Sequence, residues 1–298
     1  MKHWLAPMTM LVTAAAAGAA DAADRHPITH EDLWLMKRVG APVLSPDGRW
    51  VVVPVAEPAY VEDQKASDLW LVPADGSAAP RRLTSSKGPE SGTAWSPESK
   101  RIAFAAKRDG DEESQIYLLD VVGGGEAQRV TTVSTGAEMP QWRPDGQALL
   151  FNSMIFPGAM TDADNRARLE ERKARKYNAR AFDSFPIRYW DRWLDERRPT
   201  LMLQSLEAGA EPRDLLAGTE LARARGFGGN LADDGELLDA TWSPDGSAIV
   251  FAATTVRDQA AHAAVYQALF VLPAGGGEPR RLTADEAGYS DPQFAPDG

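Results

Sequence analysis

The residues of this chain able to do chemistry are few in kind. Phe182, Phe185, Tyr189, Trp190 and Trp193 crowd into the twelve residues 182–193 around Arg188. Aromatic faces beside a guanidinium can line a ligand or partner surface, or simply fasten a loop to its scaffold. The aspartates of a recurring "SPDG"-type turn, Asp47, Asp145, Asp245 and Asp297, have the donor chemistry of acids or calcium ligands. They sit at equivalent points of separate units, too far apart to converge on one ion, and one unit puts Glu98 and Ser99 in their place. Turn chemistry accounts for them. Of the four histidines, His3, His26, His30 and His262, only His26 and His30 are close, and Pro27 lies between them with no HExxH pattern. Without cysteine, thiol catalysis and zinc–thiolate sites are excluded. No GxSxG elbow holds a nucleophile and no Gly-rich stretch has phosphate-loop spacing. These residues therefore contain no catalytic set and no metal set, and they call for no cofactor.

The elements that carry them repeat. Turn prolines fall at Pro46, Pro97, Pro144, Pro244 and Pro296. After each of the first four comes a short apolar run, "RWVVV", "RIAFAA", "ALLFNS" or "AIVFAAT", and then a second, such as "SDLWLV" or "QALFVL". A third follows at 80–84, 127–131, 212–216 and 279–283, and a fourth runs into the next turn as "TAW", "PQW", "ATW" or "PQF". β-Branched and aromatic residues between Gly, Pro, Asp and Ser read as strands and tight turns. Four strands per unit at a period near fifty residues predict an all-β fold, a β-propeller of four-stranded blades, with four complete units and the start of a fifth. The third unit holds one copy of each strand, so its extra length is an insertion at about 155–198. Within it, 162–178 is so charged that it reads as a solvated helix or flexible arm.

At the N-terminus, "MKHW" and the Ala-rich run behind it have the layout of a secretory signal peptide over 1–22, leaving a propeller domain over 23–298. The expected location is periplasmic or secreted, with no membrane span after signal cleavage. A net charge of −11 argues against nucleic acid as a partner. "THEDLWLMKR" reads as a short helix capped by Thr29 and Asp32, with Leu33 and Met36 on its inner face.

"HPITHEDLWLMKRVGAPVLSPDGRWVVV" (26–53) and "FPIRYWDRWLDERRPTLML" (185–203) resemble the propeller domain of exported bacterial serine peptidases of the prolyl oligopeptidase family, in the dipeptidyl aminopeptidase and acylaminoacyl peptidase branch. The resemblance covers nearly all of the chain after the signal peptide. It implies a propeller that caps a C-terminal α/β-hydrolase domain carrying a Ser–Asp–His triad, admits short peptides, and helps to hold the substrate's N-terminus. That hydrolase domain is absent from these residues and would be the partner of the propeller, with a peptide as substrate. In the dipeptidyl peptidase IV branch a pair of propeller glutamates binds the substrate ammonium. Glu170 and Glu171 are adjacent carboxylates in the insertion, although their flanking residues depart from that motif. With Arg188, Tyr189, Trp190 and Trp193 they form the candidate substrate-binding set. Two other readings fit the repeat: a TolB-like propeller that docks proteins or peptides without chemistry, and a propeller fused to a metal-dependent amidohydrolase.

Overall fold

A computed structural model describes residues 26–61, 66–86, 88–177, 179, 181–182, 186–189, 191–229, 237–295 and 297–298. The expected signal peptide, His3, Phe185, Trp190 and Pro296 lie outside these.

Two compact units are distinguished, Met1–Met36 and Lys37–Gly298. In the first, α1 (His30–Trp34) opens on a reciprocal capping box. Thr29 Oγ1 accepts the Asp32 N–H at 3.2 Å, and Asp32 Oδ2 accepts the Thr29 N–H at 2.8 Å. The expected inner face is corrected. Leu33 and Met36 are 57% and 56% exposed, and no residue of α1 is buried. The helix ends at its cap, Leu35, so Met36 never comes round to share a face with Leu33.

The second unit is built from stacked antiparallel sheets. The first contains β1 (Arg38–Val39), β2 (Val43–Leu44), β3 (Trp50–Glu57), β4 (Ala66–Pro73) and β5 (Arg81–Arg82), with β1 and β2 both paired to β3. The second runs β6 (Glu90–Trp95), β7 (Arg101–Ala106), β8 (Gln115–Asp120), β9 (Gln128–Arg129). The third starts with β10 (Glu138–Trp142) and β11 (Ala148–Ile155). Next in the chain come α2 (Asp162–Ala174) and the small hairpin β12 (Arg188–Tyr189) and β13 (Arg192–Trp193). The sheet then resumes with β14 (Arg198–Ser205) and β15 (Arg213–Asp214), and α3 (Glu220–Arg223) follows. The fourth comprises β16 (Ala240–Trp242), β17 (Ala248–Ala253), β18 (Ala268–Pro273) and β19 (Arg280–Arg281).

The sheets are offset by one strand from the repeat as counted along the sequence. The strand running into each turn pairs with the strand leaving it, so "TAW", "PQW" and "ATW" open the next sheet instead of closing the previous one. A tight reversal permits nothing else. Gly48 N donates to Ser45 O, Gly146 N to Arg143 O and Gly246 N to Ser243 O, each at 2.8 Å. Gly246 has φ +69, a conformation open to glycine at little cost. Asp245 accepts from Ser243 Oγ at 2.6 Å and from Ser247 N at 3.0 Å. The Ser243 hydroxyl, followed by Ser247, holds its carboxyl down at about 2. It is a fixed turn cap and not a proton-transfer group.

Alternation along the strands assigns each side chain to one neighbour. Ile102 and Phe104 pack with Val52, Leu69 and Leu71 of the first sheet, while Ala103 and Ala105 face Leu149 and Phe151 of the third. Leu150 and Leu201 turn the other way, toward Trp242, Ile249 and Phe270. Ile102–Ala106 and Ile249–Ala253 are buried throughout, whereas in β3 only Val52 is. The tryptophan before a turn also ties sheets together. Trp95 Nε1 donates to Val43 O at 3.0 Å, and Trp142 Nε1 to Ala94 O at 3.2 Å. Trp242 Nε1, at the same repeat position, is buried without a partner.

Trp95→Phe is expected to cost about 1 kcal/mol more than Trp242→Phe, because only the first change removes a donor from a backbone carbonyl. Chemical denaturation of the two variants measures the difference, and equal losses would show that the indole bonds contribute nothing.

Candidate functional site

The stacking gives the second unit two unlike ends. The turns lie against one another: Asp47 N donates to Ser99 Oγ at 3.1 Å, and a Cβ placed on Gly246 would come 3.3 Å from Pro144 Cδ. Each turn joins the first and second strands of a sheet, so the links from second to third strand emerge at the opposite end. That end carries the connections between β3 and β4, β7 and β8, β17 and β18, and the long one between β11 and β14. With Ile155 in register with Arg198, residues 156–197 leave and re-enter the sheet between neighbouring strands. Connections can vary there without disturbing the core.

Helix α2 is the main body of this segment. Thr161 and Asp164 form a capping box at its start, and Asn165 is its one buried residue. Asn165 Oδ1 accepts the Phe156 N–H at 2.9 Å, which fixes the first turn against the end of β11. Ser134 donates to Asp162 Oδ1 through both its N–H and its hydroxyl, at 2.8 and 2.7 Å. At the other end Lys173 reaches Glu112 at 2.7 Å, and Arg172 straddles both oxygens of Asp195 at 3.1 and 3.2 Å. Burial pushes the Asp195 carboxyl up, but Arg197 and Arg172 outweigh it and hold the group below the ordinary carboxylate range. The segment read as a solvated helix or flexible arm is thus a solvated helix, pinned at both ends.

Glu170 and Glu171 are not brought together. Consecutive helical positions point about 100° apart, so the two carboxylates splay. Glu171 pairs with Arg175 at 3.2 Å, while Glu170 lies 3.5 Å from Lys173 and faces a cavity. In the β12–β13 hairpin, Arg188 stands opposite Trp193. Trp193 is 53% exposed and stacks on Phe182 with ring centroids 6.0 Å apart. Arg188 is exposed, and Tyr189 occupies β12. Leu194, buried beside them, donates its N–H to Ile187 O and anchors the hairpin.

The cavity has a volume of about 820 Å³. One wall is the stripe Ala163, Arg166, Ala167 and Glu170 of α2, and the facing wall is Met202 with Glu211–Asp214 of the third sheet. Two alanines on the helix leave the gap open. Asp214 Oδ1 accepts from Thr200 Oγ1 at 2.6 Å, Leu216 N at 2.8 Å and Ala217 N at 3.0 Å. Burial pushes the Asp214 carboxyl above its ordinary range despite these three donors. Sequence reading missed this residue, although a signal was present. At the second position of the outermost strand the other sheets carry Arg82, Arg129 and Arg281, and only the third inverts the charge. Among the described residues no group of three or more His, Cys, Asp or Glu could hold a metal ion.

With stacked antiparallel sheets of four or five strands and their recurring turns in view, the chain is a β-propeller, and residues 35–165 match the family described as TolB beta propeller domain. Its relatives are peptidases by name. It is 24% identical over 99% of its length to a dipeptidyl-peptidase 5 of Porphyromonas endodontalis, covering 41% of that protein. It is 26% identical over 76% of its length to the uncharacterized peptidase YuxL of Bacillus subtilis, covering 31% of it. Among solved structures, an uncomplexed acylaminoacyl peptidase of Pyrococcus horikoshii superposes with a TM-score of 0.54 at 14% identity. That match covers 85% of this chain and 33% of the other, and it bears on the fold alone. The chain spans about two fifths or less of the length of these curated relatives.

The ion pairs at Asp195 make α2 docking pH-dependent. A depressed carboxyl contributes fully above its unfolded value and loses that contribution as pH falls through the folded one. Protection of the amides across Asp162–Ala174, taken relative to their intrinsic exchange rates at each pH, is therefore expected to be constant above about pH 5 and to fall below about pH 4. Asp195→Asn should lack that protection at every pH. A flat profile in the parent protein would show that these pairs do not hold the helix.

Proposed function

We propose that this chain is the substrate-gating propeller portion of a secreted or periplasmic serine peptidase that cleaves short peptides. The observation that carries this reading is the similarity to a dipeptidyl-peptidase 5 along 99% of the chain but only 41% of the relative. A relative more than twice as long has room for a second domain beside the propeller. In that reading the C-terminal hydrolase domain supplies Ser, His and Asp for acyl transfer. The hydroxyl attacks the peptide carbonyl, the imidazole takes its proton, and backbone N–H groups stabilise the oxyanion. The propeller's part is access. Its variable end carries α2, the β12–β13 hairpin and the exposed Trp193, and these groups would meet a peptide before the catalytic residues do. Export would follow from the N-terminal leader, and no described helix is long and apolar enough to cross a membrane.

A second reading is a non-catalytic TolB-like propeller that binds proteins or peptides. The match of residues 35–165 to the TolB propeller family favours it.

Residues 1–298 alone are expected to release no chromophore from dipeptide or acyl-amino-acid substrates. The product of the whole gene should turn them over and be inactivated by a serine-directed reagent. Serine-dependent turnover by residues 1–298, or a whole gene product without it, would overturn the peptidase reading.

A further inference from the structure

Comparing the sheets at one repeat position isolates an uncompensated carboxylate. In the first sheet Arg82 of β5 reaches across to Asp68 of β4, and in the second Arg129 of β9 pairs with Asp111 at 2.5 Å. In the fourth, Arg281 caps the carbonyls of Thr283 and Asp285. The backbone register of the third sheet is the same: Leu215 N donates to Leu201 O as Leu83 N does to Leu69 O. Thr200 accordingly stands where Asp68 stands, and Asp214 where Arg82 stands. The acid now occupies the outer strand, at the position where the other sheets carry a guanidinium.

Among the described residues no cation replaces it. The groups that lower the Asp214 carboxyl are the Thr200 hydroxyl and the Leu216 and Ala217 amides, with no basic side chain among them. All three donors sit on Oδ1, which leaves Oδ2 to accept from elsewhere. The two arginines at the cavity are engaged: Arg166 pairs with Asp162 at 3.0 Å, and Arg213 donates to Gly275 O and Ala274 O at 2.7 and 3.1 Å. Glu211 lines the same space beside Asp214, and Glu170 faces them from α2.

We propose that the cavity between α2 and the third sheet is a binding site for an arginine or lysine side chain of a peptide, whose cation restores the acid–base pair that Arg82 and Asp68 make within the first sheet. The aliphatic stem would run along Met202 and between Ala163 and Ala167, and the charged end would meet Asp214 Oδ2 and Glu211. A volume of about 820 Å³ accommodates such a side chain with its flanking peptide groups. The proposal concerns binding by this chain and does not depend on whether the parent protein cleaves peptides.

Calorimetric titration of the purified protein with blocked tripeptides tests it. Acetyl-Ala-Arg-Ala-amide and its Lys counterpart should bind, with affinity falling as salt rises. The norleucine and glutamate counterparts should bind at least about tenfold more weakly, the loss of one charge-assisted hydrogen bond. Unblocked Ala-Ala-amide offers only an α-ammonium without the stem and should also be weak. Glu211→Gln and Asp214→Asn should each reduce arginine-peptide affinity about tenfold or more. Asp214 accepts three internal bonds, so its variant could fail to fold. Ala167→Phe, at an exposed helical position, is expected to abolish binding by filling the cavity while the melting profile stays unchanged. Equal binding of the norleucine peptide, or arginine-peptide binding untouched by Ala167→Phe, would overturn the proposal, as would failure of the arginine and lysine peptides to bind.

Discussion

Ala103 and Ala105 are small because Leu149 and Phe151 press against them from the next sheet, and that face-to-face contact is the constraint on which the rest depends. An antiparallel sheet with apolar residues on both sides cannot stand in water on one neighbour alone. The second sheet therefore commits Ile102 and Phe104 to one side and the alanines to the other. Once the sheets stack, their tight turns come into line, and the glycine of one turn is hemmed in by the proline of the one before it. The recurring "SPDG" sequence serves this contact. Its aspartates accept hydrogen bonds from the backbone of their own turns, which accounts for their recurrence at Asp47, Asp145 and Asp245.

The same stacking gives the unit two unlike ends. Turns of neighbouring sheets touch at one, through Asp47 N with Ser99 Oγ and through Gly246 with Pro144, and the connections between second and third strands lie at the other. The 42 residues 156–197 enter the third sheet at that other end, leaving the β11–β14 register unbroken from Ala148–Ser205 to Ile155–Arg198. Such a segment must then be held by its own contacts. Asn165, Asp162, Lys173 and Asp195 do this through hydrogen bonds and ion pairs instead of an apolar face, and so α2 keeps its outward side chains in solvent while its position is fixed.

Period and turn chemistry are local properties, and they made the propeller, its strands and the Thr29 cap readable in the sequence. Sheet membership was less so, because the strand preceding a turn can be counted with either unit until hydrogen bonding assigns it. Burial at α1 was misjudged for a related reason: spacing says which residues share a helix face, not whether anything covers that face or how soon the helix stops. At the candidate site, adjacency misled in the opposite sense. Glu170 and Glu171 are neighbours in sequence and diverge on the helix. The cavity is formed by residues about forty-five positions apart, such as Ala167 and Asp214, and no linear spacing reports on them.

The repeat itself offered a route to Asp214 that spacing could not. In a repetitive scaffold each position has a control in the neighbouring units, so a departure can be weighed against sites of the same geometry. Turning Thr283 or Thr84 into Leu216 removes a hydroxyl that bonds the adjacent strand in the other sheets and puts in its place a side chain buried in the apolar cluster with Leu201 and Phe227. Turning Arg82 or Arg281 into Asp214 removes a cation and leaves a partly buried acid, at a cost that burial without a counter-charge makes positive. Both departures fall in the sheet that carries the insertion, beside the face of α2 where Ala163 and Ala167 leave room. The exchange leaves the Asp214 carboxyl with three donors on Oδ1 and no cation among them, the deficit that the proposed arginine or lysine side chain would make good.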